Sequence, residues 1–176
     1  MREEIFITGI GGQGIALAGE ILAKTAMHNN MYAVVTKFYG AEVRGGAASS
    51  GIIISDKKIY FQFVRNLDFL IALHEKGLRE HAPKKTKHLV IEEDMIKNHT
   101  VSAEKIIKIP AIRIAEGIGS SLLANMVMLG AYAKLSDVLP IQALVETVKK
   151  ESPRKYLELN IRAILEGYRF IEHIGI

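Results

Sequence analysis

The chain has no cysteine. That excludes disulfides, cysteine-ligated iron–sulfur clusters and a thiol nucleophile, so any redox centre serving this protein must sit on another chain. No apolar run reaches the roughly 18 residues of a membrane span. The amino terminus, Met1-Arg2-Glu3-Glu4, runs directly into a strand-like Ile5-Phe6-Ile7 and lacks the apolar region and small-residue cleavage site of a signal peptide. A soluble cytoplasmic protein that does not engage membranes is expected. There is no strong excess of one charge: 23 basic and 19 acidic side chains give a net charge of +4, and their interleaving implies only a mild preference for anions. The densest basic patch, Pro83 to His88, precedes a strand and reads as a solvated loop, not a nucleic-acid site. Asn98-His99-Thr100 matches a glycosylation sequon, an accidental match without an export signal. His81, His88, His99 and His173 are scattered without metal-ligand spacing, so no metal site is expected.

With 176 residues, 49% of them hydrophobic, the chain can bury one core, and a single domain over residues 1–176 is expected. The first half alternates strand-like and helix-like segments, the mark of an α/β layer architecture. Glu4 to Thr8 reads as a buried strand, Gly14 to Asn29 as a helix and Met31 to Thr36 as a second strand, together a βαβ unit. Ala47 to Ser55 and Lys58 to Phe63, flanking Asp56-Lys57, read as a hairpin, which makes part of the sheet antiparallel. Asp68 to Leu73, His88 to Glu92 and Lys105 to Ile109 are further short β-rich runs. From Gly119 onward three helices follow. Ser120 to Leu135 is apolar on nearly every side, Pro140 to Lys150 carries one apolar stripe, and the last helix starts at Ser152-Pro153. The fold class expected is a three-layer α/β/α domain with a mixed, mostly parallel sheet and a C-terminal helical segment.

Five glycines fall among the thirteen residues Ile7 to Gly19. Gly9, Gly11 and Gly14 satisfy G-x-G-x-x-G, with a strand before and a helix after, and Gly12 adds a fourth bare backbone position. Such a turn lets backbone N–H groups approach an anion at the positive end of a helix. It equally serves as a tight strand-to-helix connection, and spacing alone leaves both readings open. A dinucleotide site also wants an acidic side chain at the end of the second strand to hold the ribose. Here that strand ends in Thr36-Lys37, which disfavours ordinary NAD; Lys37 could face a 2′-phosphate. A second stretch, Phe38 to Ser50, sets Arg44 before Gly45-Gly46. A guanidinium fork suits phosphate or carboxylate, although Arg44 could also tie down its own loop.

The segments "GIGGQG" (Gly9 to Gly14), "AGEILA" (Ala18 to Ala23), "YGAEVRGGAASS" (Tyr39 to Ser50) and "LDFLIAL" (Leu67 to Leu73), with later echoes in "NMVMLGA" (Asn125 to Ala131), resemble the gamma subunit of the 2-oxoacid:ferredoxin oxidoreductases over almost the whole chain. The resemblance implies a subunit of an enzyme that decarboxylates a 2-oxoacid, couples the acyl group to coenzyme A and passes electrons to ferredoxin. It implies thiamine diphosphate and iron–sulfur clusters on companion alpha, beta and delta subunits, none bound by this chain alone, and no activity in isolation. It makes Gly9, Gly11, Gly12, Gln13, Gly14, Arg44, Gly45 and Gly46 candidates for contact with coenzyme A's phosphates or the adjoining subunit, with no catalytic residue among them.

Pyruvate-using members tend toward "YGAERRGAP" in this loop and 2-oxoglutarate-using members toward "YGPEMRGGTA"; this chain mixes the two, and its RGG favours 2-oxoglutarate or a related acid. Two rivals are an independent NAD(P)-binding oxidoreductase and the small subunit of indolepyruvate:ferredoxin oxidoreductase; a scaffold binding no small molecule is a third. An isolated chain could also pair with itself through its assembly surface. Elsewhere, His74 and Glu75 fit the start of a helix, Glu92-Glu93-Asp94 fits helix capping, and Asn125 and Asn160 fit hydrogen bonds to nearby backbone.

Overall fold

The computed structural model describes residues 1–40 and 45–176. Six strands, β1 (Arg2–Ile10), β2 (Tyr32–Tyr39), β3 (Ala47–Ser55), β4 (Phe69–Ala72), β5 (Lys85–Glu92) and β6 (Ser102–Ile109), form one sheet in the order β2-β3-β1-β4-β5-β6. β1, β4, β5 and β6 run parallel, while β3 is antiparallel to both of its neighbours, β1 and β2. The sheet is therefore mixed and mostly parallel. Among the described residues six α-helices accompany it: α1 (Ile15–His28), α2 (Glu75–His81), α3 (Ala111–Ile118), α4 (Ala124–Leu135), α5 (Ile141–Glu151) and α6 (Leu157–His173).

Alternation along the strands divides the apolar side chains between two cores. Ile5, Ile7, Ile52, Ile54, Phe69, Ile71 and Val90 face one way and pack with α1, α3, α4, α5 and α6. Phe6, Leu70, Leu89 and Ile91 face the other way, where α2 supplies Leu78 and irregular segments supply Leu67, Ile96 and Val101. The three layers are thus unequal in depth, with one short helix on the second face.

The hairpin expected of Ala47–Ser55 and Lys58–Phe63 is not formed. β3 pairs instead with β1 and β2, and Lys58 to Phe63 adopts no strand. Both edges of β3 are already occupied, and Asp56-Lys57 lacks the glycine that a tight two-residue turn favours. The segment leaves the sheet edge and crosses the second face as a strap, with Val64 and Leu67 in the core beneath. The actual hairpin is β2–β3, and its loop contains the arginine–glycine stretch.

The apolar all-round character of Ser120 to Leu135 is explained inside this chain. A 3₁₀ turn at Ser121–Leu123 leads into α4, which lies between the sheet and α6. The two helices approach closely because each presents a glycine to the other's backbone. A Cβ on Gly130 would lie 1.8 Å from the Ile164 carbonyl oxygen, and one on Gly167 would lie 1.9 Å from that of Val127. α3, which sequence periodicity did not single out, follows β6 and packs against α4 and α6.

Three buried carboxylates act as internal staples. Glu3 accepts hydrogen bonds from the Tyr132 hydroxyl and from Ser136 Oγ at 2.9 and 3.1 Å, joining β1 to the end of α4. Glu4 receives the backbone N–H groups of Arg65 and of Asn66 (2.9 Å), fixing the end of the strap. Glu92 accepts Ile112 N at 2.9 Å and Asp94 N at 3.1 Å, so the acid ending β5 caps α3. Burial pushes the carboxyls of Glu3 and Glu92 above their ordinary range, against the opposing effect of these hydrogen bonds.

Two outcomes follow from this packing. Gly167→Ala should lower the unfolding free energy by about 3 kcal/mol, because a backbone carbonyl, not a movable side chain, blocks the methyl group; denaturant unfolding measures it. A folded-state pKa above the unfolded one means that the folded chain binds the proton more tightly, so Glu3's titration lowers stability as pH rises through the acid range. Glu3→Gln should therefore gain on the wild type between pH 4 and pH 7, and parallel stability curves would show that Glu3 is not the cause.

Candidate functional site

At the carboxyl ends of the parallel strands, where open α/β sheets form their crevices, β1 turns into α1 through Gly11, Gly12 and Gln13, with Gly14 as the helix cap. The turn is closed by Gln13 N donating to Ile10 O at 3.2 Å. The Gln13 side chain folds back on the same turn: its Oε1 accepts Ile10 N at 2.9 Å and its Nε2 reaches Leu73 O at 3.4 Å, beyond the end of β4. Its carboxamide holds β1, the turn and β4 in fixed relation.

Gly14 has φ 69° and brings no side-chain cap to α1. Its carbonyl accepts Ala18 N at 2.9 Å and Asn125 Nδ2 at 3.2 Å, while Asn125 Oδ1 takes Met126 N at 2.8 Å. The buried asparagine thus serves the turn and its own helix, as expected. A Cβ at position 14 would fall 2.2 Å from Asn125 Nδ2, and Gly12, at φ 97°, has open space beside it. The helix start is left with first-turn N–H groups that helical geometry does not satisfy, facing the exposed Gly11 and Gly12.

The structure brings the second candidate stretch to this turn. The β1–β3 register pairs Ile10 with Ala47, and Gly11 N donates to Gly46 O at 2.9 Å. Gly40 N to Ala47 O, 2.8 Å, closes the base of the β2–β3 loop, and Lys76 Nζ reaches Gly45 O at 3.2 Å. Gly9 lies within β1, one residue before the turn, so seven of the eight candidates, Gly9, Gly11, Gly12, Gln13, Gly14, Gly45 and Gly46, are in or beside one locus. The eighth, Arg44, lies outside the described residues.

The cavity at this locus is small, about 120 Å³, lined by Gln13, Leu73, Ile112, Ser121, Leu122 and Ala124. Ligand pockets usually span about 300–1,000 Å³, so a nucleotide-sized molecule can only lie across this surface. A more open hollow of about 640 Å³ lies between α3 and the end of α6 and is lined by none of the turn's residues. Leu122, on the rim of the small cavity, is 69% exposed.

The other polar residues here are occupied structurally. His74 caps α2 by accepting Lys76 N at 3.0 Å. Glu93 and Asp94 both pair with Arg113. A hydroxyl chain that sequence reasoning missed, Thr8 Oγ1 to Ser49 Oγ (2.7 Å) to His81 Nδ1 (3.0 Å), runs under the turn. Ser49 is only 2% exposed, which removes it from reach as a nucleophile; no sequence spacing foretells a contact made across two strands and a helix. At the former dinucleotide positions, Thr36 donates to Gln62 O at 2.8 Å and Lys37 pairs with Glu20. Among the described residues, no three His, Asp or Glu side chains form a group able to hold a metal ion, and no helix is long and apolar enough to cross a membrane.

The family model described as "Pyruvate ferredoxin/flavodoxin oxidoreductase" matches residues 4–170. The chain is 36% identical to the 2-oxoglutarate synthase subunit KorC of Methanothermobacter marburgensis, covering 97% of both chains. It is 32% identical to the pyruvate synthase subunit PorC of the same organism, covering 98% of this chain and 99% of that one. Among solved structures, a keto/oxoacid ferredoxin oxidoreductase gamma subunit from Geobacter sulfurreducens superposes with a TM-score of 0.83 at 29% identity, covering 98% of both chains. The relatives are subunits of oxoacid oxidoreductases, and the chain belongs to the pyruvate ferredoxin/flavodoxin oxidoreductase family.

Proposed function

We propose that residues 1–176 act as one gamma-type domain of a cytoplasmic, multi-subunit 2-oxoacid:ferredoxin oxidoreductase, converting a 2-oxoacid to its acyl-coenzyme A with reduction of ferredoxin. Thiamine diphosphate and iron–sulfur clusters belong to companion alpha, beta and delta subunits in this reading, and the chain alone is inactive. The preferred substrate is 2-oxoglutarate or a close analogue, in keeping with the RGG loop and the likeness to the KorC subunit.

The observation that carries the reading is the Gly11–Gly46 hydrogen bond of 2.9 Å, which joins two stretches 35 positions apart in sequence into one open surface at the head of α1. Backbone N–H groups at a helix start suit the phosphates of coenzyme A. A surface whose own cavity is so small is completed by the neighbouring subunit. Within it, Gly11, Gly12, Gly14, Gly45 and Gly46 supply close backbone approach, Gln13 holds the turn in shape, Gly9 seats it on the sheet, and Arg44 supplies the cationic fork.

A dinucleotide suits this fold poorly, because β3 separates β2 from β1 and the Thr36 and Lys37 side chains of β2 are engaged within the chain. Gentle anaerobic purification of the native protein with mass spectrometry tests the reading. Larger companion chains carrying thiamine diphosphate and iron–sulfur clusters are expected, with activity dependent on coenzyme A; a lone chain with bound dinucleotide would refute it. In the assembled enzyme, Arg44→Ala should raise the coenzyme A Michaelis constant by roughly tenfold or more, the loss of one charge-assisted contact, or else impair assembly. An unchanged constant in an intact complex removes Arg44 from the site.

A further inference from the structure

The strap over the second sheet face carries exposed aromatic side chains. Tyr60 is 92% exposed, and Phe61 and Phe63 are 41% and 42% exposed. By the alternation of β2, Tyr32, also exposed, points to the same face as Thr36 and Phe38. Taking about 150–250 Å² for a whole aromatic side chain, these four present on the order of 300–500 Å² of ring surface. That is the size of the largest apolar patch on a typical monomer, which is often a functional surface.

The strap is anchored along its length. Ser55 Oγ accepts Lys57 N at 3.0 Å, Thr36 Oγ1 donates to Gln62 O at 2.8 Å, and Glu4 takes the N–H groups of Arg65 and Asn66. Phe61 and Phe63 meet edge to face at 5.6 Å, and the Arg65 guanidinium lies 3.6 Å over the Phe61 ring. Phe61 and Phe63, held in this way before contact, lose little conformational entropy on binding.

Its charge is one-sided. Between Asp56 and Asp68 the sequence holds Lys57, Lys58 and Arg65 and no acid. Asp56 is paired with the amino terminus at 2.6 Å and Asp68 with Lys87 at 2.6 Å, whereas Lys57, Lys58 and Arg65 form no ion pair among the described residues. We propose that the strap of residues 57–66 is a docking surface for a companion protein chain that presents an apolar patch rimmed by carboxylates. A second copy of this chain is the poorer occupant, since a two-fold interface centred on the strap brings the same cations together. The identification of the occupant as a companion subunit rests on the function proposed above.

The test uses the native complex and the isolated chain. Backbone amides of residues 57–66 should exchange with solvent markedly more slowly in the complex. Tyr60→Ala with Phe63→Ala should weaken subunit association roughly 30-fold or more, as for a truncated interface anchor, while the thermal midpoint of the free chain stays close to wild type. Lys57→Glu with Lys58→Glu should slow association and reduce its salt dependence. A complex that assembles with unprotected strap amides and unaltered affinity in both variants overturns the docking surface and leaves the proposed function intact. A concentration-dependent homodimer that protects the strap overturns the choice of occupant. A wild-type chain that purifies without companions overturns both proposals.

Discussion

The site depends on β3 being threaded between β1 and β2. All nine residues of β3 are buried, enclosed by a strand on each side and by packing above and below. Its first half, Ala47-Ala48-Ser49-Ser50-Gly51, is small because α1 and α2 both approach it, and Ser49 and Ser50 satisfy their hydroxyls on Thr8 and on the carbonyl of Ile15. A larger side chain here would separate the layers. The antiparallel register delivers the β2–β3 loop to the end of β1, beside the glycine turn. It also fills the sheet edge that the next segment would otherwise have joined, which sends that segment over the face.

Buried polar groups do comparable positional work elsewhere. A carboxylate removed from water is costly unless hydrogen-bonded, and each of Glu3, Glu4 and Glu92 meets that condition by gripping a helix end or the strap. Glu3 grips the end of α4, Glu4 the end of the strap, and Glu92 the start of α3. Gln13 is the neutral equivalent at the turn, joining β1 to the residue beyond β4. The segments without helix or ladder bonds are accordingly tethered to the sheet at defined points.

Much of this was legible in the sequence where the determining interactions are local. The limits of α1, the apolar runs of β4, β5 and β6 and the stripe of α5 follow from periodicity and capping, which neighbouring residues decide. The hairpin partner of Ala47–Ser55 was misread because Lys58–Phe63 has β-rich composition, while its fate depends on whether a sheet edge is free. α3 was missed because its eight residues take their cap from Glu92, a contact invisible to local spacing. At the site, the glycine spacing and the arginine–glycine stretch could each be seen, but the bond joining Gly11 to Gly46 is a consequence of topology. The inward fold of the Gln13 carboxamide likewise needed the end of β4 to be in place.

The unequal layers connect the fold to a role within a larger assembly. One face of the sheet carries five helices and closes its core with its own chain. The other carries, among the described residues, a single seven-residue helix, and an irregular strap completes its cover. The strap sets Val64 and Leu67 against the core beneath it while residues 60–63 stay exposed, so aromatic rings remain at the surface. The glycine turn has a similar character, with a shaped backbone, a small cavity and an exposed Leu122 at the rim. Both places are held by internal hydrogen bonds before any ligand or partner arrives, and neither encloses one. Rigid but open surfaces of this kind are suited to contribute one wall to a site that another chain completes.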